Sequence, residues 1–208
     1  MASVVGAALA AQNGALAGKR AVVVGGTNGI GRGIALNLAA KGADVVVVGR
    51  RDRGILDDLE KARAGGAYRF EAADCFLLSE ARRCVDALLE DEAPLDLLVQ
   101  SQGMATIQGF TPSEEGLDQK LCLHVYSRAL FLDGLAPRLD RAPAPKTLSV
   151  LSAGVHGPYR HWAADPELAK GSYSIKDAAD AAGSDAGVPY GTVSFESRDA
   201  MLYLFHRL

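Results

Sequence analysis

Residues 21–50, AVVVGGTNGIGRGIALNLAAKGADVVVVGR, constrain the fold of this chain more than any other segment. A valine-rich run at 21–24 leads into a glycine-rich turn, and a second valine run follows at 45–48. The segment between them has the apolar spacing of a helix, so the predicted order is strand, turn, helix, strand. The apolar residues that we expect on one face of this helix are Ile30, Ile34 and Leu38.

The glycines of the turn have the spacing G-x-x-x-G-x-G, at Gly25, Gly29 and Gly31. Glycine has no Cβ, so the backbone can turn sharply there or approach a pyrophosphate closely. The N-terminus of the following helix adds unpaired N–H groups and the positive end of the helix dipole. The pattern therefore predicts a dinucleotide site, with a glycine-rich loop that binds nothing as the alternative. The residues that we expect at this site are Gly25, Thr27, Asn28, Gly29, Ile30 and Gly31.

Composition argues against several classes of protein. The chain has 208 residues, enough for one domain with a sizeable core, and a net charge of −3 without a basic block that would favour nucleic acid. Its three cysteines, Cys75, Cys84 and Cys122, lack the spacing of a metal site or a disulfide framework. We therefore expect a reducing, cytoplasmic location. No apolar run reaches the roughly 18 residues of a membrane span, and the N-terminal segment is a poor signal peptide.

Strands and helices alternate along the chain after this first unit. We expect strands at 67–73, 95–101 and 147–152 and a helix at 79–90. The alternation predicts an α/β fold, a doubly wound, Rossmann-like parallel sheet of about five to six strands between two helical layers.

Another long helix is predicted to begin at Thr111. Pro112 suits the first turn of a helix, and Glu114 completes a T-x-x-E capping box. The apolar pattern then continues through Leu121 toward Pro137.

Arg50 and Arg51 follow the second predicted strand directly. In a dinucleotide-binding sheet this place lies beside the adenine ribose, where an acidic residue would bind the 2′-hydroxyl of NAD. Arginine instead suits the 2′-phosphate of NADP. The pair therefore predicts NADP(H) as the cofactor, and a solvated arginine pair at a loop start is the alternative.

The run VGGTNGIG resembles the TGxxxGxG motif of the short-chain dehydrogenase/reductase family, with Val24 in place of threonine. The run LVQSQG, which ends at Gly103, is similar to the family's LVNNAG run beside the cofactor ribose. Asp74 resembles the aspartate that contacts the adenine ring, although a plain loop aspartate is the alternative. The further cofactor contacts that the resemblance implies are Asp74, Cys75, Gln102 and Gly103.

In that family a serine, a tyrosine and a lysine perform the chemistry with the help of an asparagine. The tyrosine exchanges a proton with the substrate, and the lysine lowers the pKa of the tyrosine and holds the nicotinamide ribose. The resemblance assigns these roles to Ser152, Tyr173 and Lys176, and His124 falls at the position of the asparagine. His124 is either part of a proton relay or a core histidine.

Two departures from the family's pattern affect this catalytic assignment. The family motif is YxxxK, whereas Tyr173 precedes Lys176 by three residues, a spacing that still shares one helix face. Tyr159 and Tyr190 are weaker candidates, since neither has a lysine three or four residues later. The interval between Ser152 and Tyr173 suggests an inserted loop, as in the retinol-dehydrogenase-like branch.

The resemblance covers roughly residues 18–182, which we take as the nucleotide-binding domain, between an extension at 1–17 and an atypical tail at 183–208. Family members usually continue with a lid and further strands, so we expect either a C-terminally truncated chain or an unusual tail. The predicted function is an NADPH-dependent oxidoreductase that acts on a small carbonyl or alcohol, and a homo-oligomer is the assembly that we expect. A catalytically impaired nucleotide-binding or interaction protein of the same fold is the alternative.

Overall fold

The computed structural model describes residues 14–104 and 109–150, which contain a five-stranded, wholly parallel sheet. The strand order is β3-β2-β1-β4-β5, as expected for a doubly wound fold. This confirms the predicted Rossmann-like α/β class. The strands are β1 (Arg20–Val24), β2 (Asp44–Gly49), β3 (Tyr68–Ala72), β4 (Leu97–Gln100) and β5 (Lys146–Ser149).

Helices cover both faces of the sheet. They are α1 (Gly29–Ala40), α2 (Ile55–Ala62), α3 (Leu78–Leu89), α4 (Gln119–Leu121, a π-helical turn at Cys122–Tyr126, and Ser127–Gly134) and α5 (Ala136–Leu139). Alternate side chains of β1 enter two separate cores, because successive residues of a strand point to opposite faces. Val23 packs with α1 and α2 on one face, whereas Val22 and Val24 pack with α3 and α4 on the other. The architecture is therefore three-layered, αβα.

The valine runs form the centre of this sheet. Val23, Val24, Val45, Val47 and Val48 are fully buried, and β1 pairs with β2 from Arg20↔Asp44 to Val24↔Val48. A parallel sheet that is covered on both faces buries both sets of side chains, so its strands become continuous apolar runs. Because the strands are parallel, the carboxyl ends of β1, β2, β3 and β4 lie at the same edge of the sheet, where the candidate site is found.

The predicted apolar face of α1 was wrong at Ile30. Leu38 is buried and Ile34 packs partly against the core, but the Ile30 side chain is 66% exposed. Ile30 is the second residue of the helix, and the face that contacts the sheet instead carries Gly31 and Ala35. The periodicity therefore predicted the helix correctly, but the predicted buried face began one turn too early.

The predicted start of the next long helix at Thr111 was also wrong, because Asp118 supplies a better cap. Asp118 is fully buried, and its carboxylate accepts hydrogen bonds from Lys120 N (2.9 Å) and Leu121 N (3.1 Å). The same carboxylate accepts from Thr111 N at 2.9 Å, and Pro112 forms an antiparallel bridge with Asp118. Residues 111–118 therefore form a closed loop, and α4 begins at Gln119.

No helix of the described residues is both long and apolar enough to cross a membrane. In the same residues, no group of three or more His, Cys, Asp or Glu side chains is arranged to hold a metal ion. The three cysteines are free thiols, and all are buried.

Candidate functional site

A cleft of about 940 Å³ lies across the carboxyl ends of the strands. The chain order reverses at this place, between β1 and β4, and such switch points are where doubly wound sheets bind ligands. The structure brings almost all of the predicted cofactor residues to this cleft, together with His124. The predicted residues that line it are Gly25, Thr27, Asn28, Gly29, Ile30, Arg50, Arg51, Asp74, Cys75, Gln102, Gly103 and His124.

The glycines of the turn have different structural tasks. A Cβ on Gly25 would overlap the backbone of Ser101 and Gln102, and a Cβ on Gly31 would overlap the main-chain oxygen of Gly25. These two glycines therefore allow the turn to pack closely against the end of β4 and the start of α1. Gly31 is buried beneath the turn and does not line the cleft.

Gly29 is the glycine that leaves space for a ligand. Its φ is +53°, and a Cβ placed on it would have no atom within 4 Å. Asn28, the residue before α1, has extended backbone and forms no side-chain capping bond, and the first turn carries no acidic residue. The N–H groups and the positive dipole end of α1 therefore face open space, which favours an anionic group there.

Arginines form the opposite side of the cleft. Arg50 is 58% exposed, and its Nη1 lies 4.0 Å from Oδ2 of Asp74 while its guanidinium stacks over the Phe76 ring at 5.1 Å. Arg51 and Arg53 also line the cleft, and no carboxylate of the described residues pairs with either of them. This side of the cleft can therefore accept an additional anion.

The side chains of Asp74 and Gln102 each contact other residues of the protein. The Asp74 carboxylate accepts a hydrogen bond from Phe76 N at 3.0 Å as well as the contact with Arg50. The Gln102 side chain is buried and its Nε2 lies 3.5 Å from the hydroxyl of Ser127. Cys75 is buried too, and burial raises the pKa of its thiol to about 12, so the thiol is not a nucleophile at neutral pH.

His124 closes the inner end of the cleft. Its Nε2 lies 3.3 Å from Met104 N and 3.2 Å from the main-chain oxygen of Met104, so either neutral tautomer can bond there. The ring packs so tightly on Gly103 that a Cβ there would lie 2.9 Å from Cε1. Burial, with a smaller contribution from the charge of Arg128, lowers the pKa of His124 to about 4. His124 is therefore neutral at physiological pH.

Arg128 lies beneath His124 and is only 1% exposed. Its guanidinium donates to the main-chain oxygens of Gln102 (2.6 Å) and Val150 (2.8 Å) and to the hydroxyl of Ser149 (2.5 Å). Its Nε donates to the oxygen of Leu123 at 3.4 Å, and burial lowers the pKa of Arg128 to about 10. One side chain thus joins the ends of β4 and β5 to α4.

Sequence reasoning missed Arg53 and Phe76, which line the cleft. It also missed Arg32 and Arg128, which donate hydrogen bonds to main-chain oxygens of cleft residues. Arg53 comes three residues after Arg50, so a search for basic residues along the whole loop would have found it. Arg128 lies in an apolar helical pattern, and only the fold shows that it reaches two strand ends. The predicted catalytic residues Ser152, Tyr173 and Lys176, and the weaker candidates Tyr159 and Tyr190, lie outside the described residues.

Comparisons with known proteins agree with this architecture. The chain is 32% identical over 149 residues to the NmrA-like family domain-containing oxidoreductase notO of Aspergillus sp. (strain MF297-2), covering 68% of this chain and 45% of that protein. It is 34% identical over 144 residues to dehydrogenase/reductase SDR family member 13 of Bos taurus, covering 68% of this chain and 37% of that protein. The chain therefore spans less than half the length of these relatives.

Solved protein structures share the fold of this chain. A short-chain type dehydrogenase/reductase from Mycobacterium ulcerans is 27% identical and superposes with a TM-score of 0.58, covering 74% of this chain and 60% of that one. The RhlG/NADP active-site complex of Pseudomonas aeruginosa is 29% identical with a TM-score of 0.55, covering 80% of this chain and 62% of that one. The model of the short chain dehydrogenase family matches residues 19–143. The chain therefore belongs to the short-chain dehydrogenase family.

Proposed function

We propose that this protein is an NADPH-dependent oxidoreductase that acts on a small carbonyl or alcohol. The observation that carries the proposal is that an anion-binding glycine turn and an arginine-rich loop face each other across one cleft. The turn suits a pyrophosphate, and the loop suits the 2′-phosphate that distinguishes NADP from NAD.

The residues of the cleft fit this cofactor. The open space above Gly29 leaves room for a pyrophosphate against the N-terminus of α1. The exposed guanidiniums of Arg50 and Arg51 can form charge-assisted bonds with a 2′-phosphate. The solved RhlG structure contains NADP, and its likeness to this chain supports the same cofactor here.

The bound nicotinamide would supply or accept the hydride, and the protein would position the substrate and exchange the proton. By its resemblance to the family, Tyr173 is the proton donor or acceptor, and Lys176 lowers the pKa of its phenol. Ser152 would hydrogen-bond the substrate oxygen. We propose that His124, which is held neutral at the inner end of the cleft, takes the place of the family's asparagine in a proton relay.

The alternative, a nucleotide-binding or interaction protein without catalysis, is less well supported. Two relatives, notO of Aspergillus sp. (strain MF297-2) and andH of Emericella variicolor, are 32% and 34% identical to this chain, and both are named oxidoreductases. The narrower placement in a retinol-dehydrogenase-like branch stays a proposal that rests on the interval between Ser152 and Tyr173.

A turnover screen tests the proposal. Purified full-length protein is mixed with NADPH and a panel of aldehydes and ketones, and loss of the reduced nicotinamide is followed by its absorbance. We expect carbonyl-dependent oxidation with at least one class of substrate. Binding of NADPH without turnover across the panel would favour the alternative, and absence of binding would contradict both.

A further inference from the structure

Arg32 joins the two sides of the cleft through its guanidinium. Nη1 donates to the main-chain oxygens of Thr27 (3.0 Å) and Arg53 (3.1 Å). Nη2 donates to the main-chain oxygen of Gly54 (3.3 Å) and to the carboxylate of Asp58 (2.5 Å). Thr27 belongs to the glycine turn, whereas Arg53 and Gly54 belong to the loop after β2. A single side chain therefore fixes how far apart the turn and the loop lie.

The loop that Arg32 holds has a strained backbone. Arg53 has φ +55° and is the only non-glycine residue with positive φ in the described part of the chain. The next residue, Gly54, is left-handed as well, with φ +74°. Non-glycine residues persist in this region only where surrounding contacts hold them. The main-chain oxygens of both residues are the acceptors that Arg32 binds, so Arg32 supplies such contacts.

Arg32 itself has little capacity left for a ligand. A guanidinium has four N–H groups on its Nη atoms, and here all four are directed to protein acceptors. The side chain is only 23% exposed, and the ion pair with Asp58 offsets its charge. Arg32 therefore acts on a bound cofactor through the loop that it positions, whereas the exposed guanidiniums of Arg50 and Arg51 can bind phosphate directly.

We propose that Arg32, held by Asp58, is a positioning residue that sets the selectivity between NADPH and NADH. Arg50, Arg51 and Arg53 lie on the loop that Arg32 holds. Arg32 keeps this loop at a distance from the glycine turn that one cofactor molecule can span, and so preorganises the 2′-phosphate site. This inference rests on the proposed function, because it assumes that the loop reads the 2′-phosphate.

The sign of one mutational effect separates positioning from simple electrostatics. Asp58→Ala removes the carboxylate that holds Arg32 but also removes a negative charge near the loop. If charge alone mattered, NADPH would bind more tightly to this variant. If positioning matters, the loop loosens and the preference for NADPH falls. Asp57→Ala is the matched control, since Asp57 is the neighbouring exposed carboxylate in the first turn of α2 and does not contact Arg32.

The experiment measures the dissociation constants of NADPH and NADH by fluorescence titration of the full-length wild type and both variants. We express selectivity as the dissociation constant of NADH divided by that of NADPH. We expect this ratio to fall about fivefold to tenfold in Asp58→Ala, mainly through weaker NADPH binding. Asp57→Ala should keep the wild-type ratio. General damage to the fold would weaken both cofactors alike and leave the ratio unchanged, so the ratio reports positioning specifically.

Hydrogen exchange gives a second readout that needs no cofactor. The amides at 52–56 should exchange faster in Asp58→Ala than in the wild type, and at the wild-type rate in Asp57→Ala. If the wild type prefers NADPH and the ratio is unchanged or increased in Asp58→Ala, the positioning role of Arg32 is wrong while the proposed function still stands. A wild type that binds both cofactors equally would instead contradict the proposed function, and the selectivity role of Arg32 with it.

Discussion

The guanidinium of Arg128 donates a 2.6 Å hydrogen bond to the main-chain oxygen of Gln102, one of the residues that line the cleft. The donor belongs to α4 and the acceptor follows β4, so the bond ties a helix to the edge of the sheet where the candidate site lies. A second bond from the same Nη2 reaches Val150, which is two residues before the predicted catalytic serine in sequence. Arg128 therefore holds the floor of the cleft.

Replacing Arg128 with methionine should destabilise the protein by about 2–4 kcal/mol. The change relieves the desolvation of a buried charge, but it removes the Arg128 donor from the main-chain oxygens of Gln102 and Val150 and from the Ser149 hydroxyl. Urea unfolding of the variant measures this free energy. Arg82→Met, at an exposed position of α3, is the control and should change it by less than about 0.5 kcal/mol. A variant at Arg128 that is as stable as the wild type would show that the buried charge costs as much as its bonds contribute.

The lowered pKa of His124 predicts a specific pH dependence of stability. The unfolded chain binds this proton near pH 6.5, whereas the folded protein resists it down to about pH 4. The stability contributed by neutral His124 is therefore complete above about pH 6.5 and is lost as the pH falls toward 4. Between pH 7 and pH 5 the wild type should lose about 2 kcal/mol more unfolding free energy than His124→Asn. The same pH dependence in both proteins would mean that His124 titrates normally in the folded state.

Gly29→Ala should weaken NADPH binding about tenfold or more. The added Cβ enters the open space above the turn, and alanine is strained at the φ of +53° found there. Circular dichroism should show that the variant stays folded, with a loss of about 1–2 kcal/mol in stability. Gly33→Ala is the matched control, because this helical glycine does not line the cleft and also has no atom within 4 Å of an added Cβ. It should bind NADPH like the wild type, and undiminished binding by Gly29→Ala would place the cofactor elsewhere.

Tyr173→Phe should reduce turnover about 100-fold or more, because it removes the phenol that we propose exchanges the proton. NADPH affinity should change little in this variant, whereas Lys176→Met should lower both affinity and turnover, as expected of a lysine that also holds the nicotinamide ribose. Steady-state kinetics on the best substrate of the carbonyl panel measures both effects. Tyr159→Phe serves as the control and should retain wild-type turnover. If Tyr159→Phe loses turnover and Tyr173→Phe does not, the catalytic assignment moves to Tyr159.

Periodicity predicted the sheet well, because valine runs buried on both faces leave a strong local signal. All five strands were expected, and the observed bounds of β3 and β4 fall inside the predicted ranges 67–73 and 95–101. The glycine turn was equally recognisable, since Gly25 and Gly31 are required by backbone packing and Gly29 has a positive φ. The three glycines lie within a few residues of one another, so their pattern can be recognised from the sequence alone.

What the sequence did not predict depends on contacts between distant segments. The T-x-x-E pattern at Thr111 was overruled by Asp118, whose carboxylate binds the Thr111 amide and caps α4. Glu115, in the same loop, accepts bonds from Leu78 N and Ser79 N at the start of α3. Helix α2 is short and buries two side chains, Ile55 and Leu59, so its apolar pattern was not recognised.

A paired titration tests the proposal that the cleft selects NADPH through its arginine loop. NADPH and NADH are titrated separately into the full-length protein and followed by nicotinamide fluorescence. Pairing of an exposed arginine with phosphate should contribute roughly 1.5–3 kcal/mol, so we predict at least about tenfold tighter binding of NADPH. The preference should disappear in Arg50→Asp. Equal affinities in the wild type, or an undiminished preference in Arg50→Asp, would contradict the account.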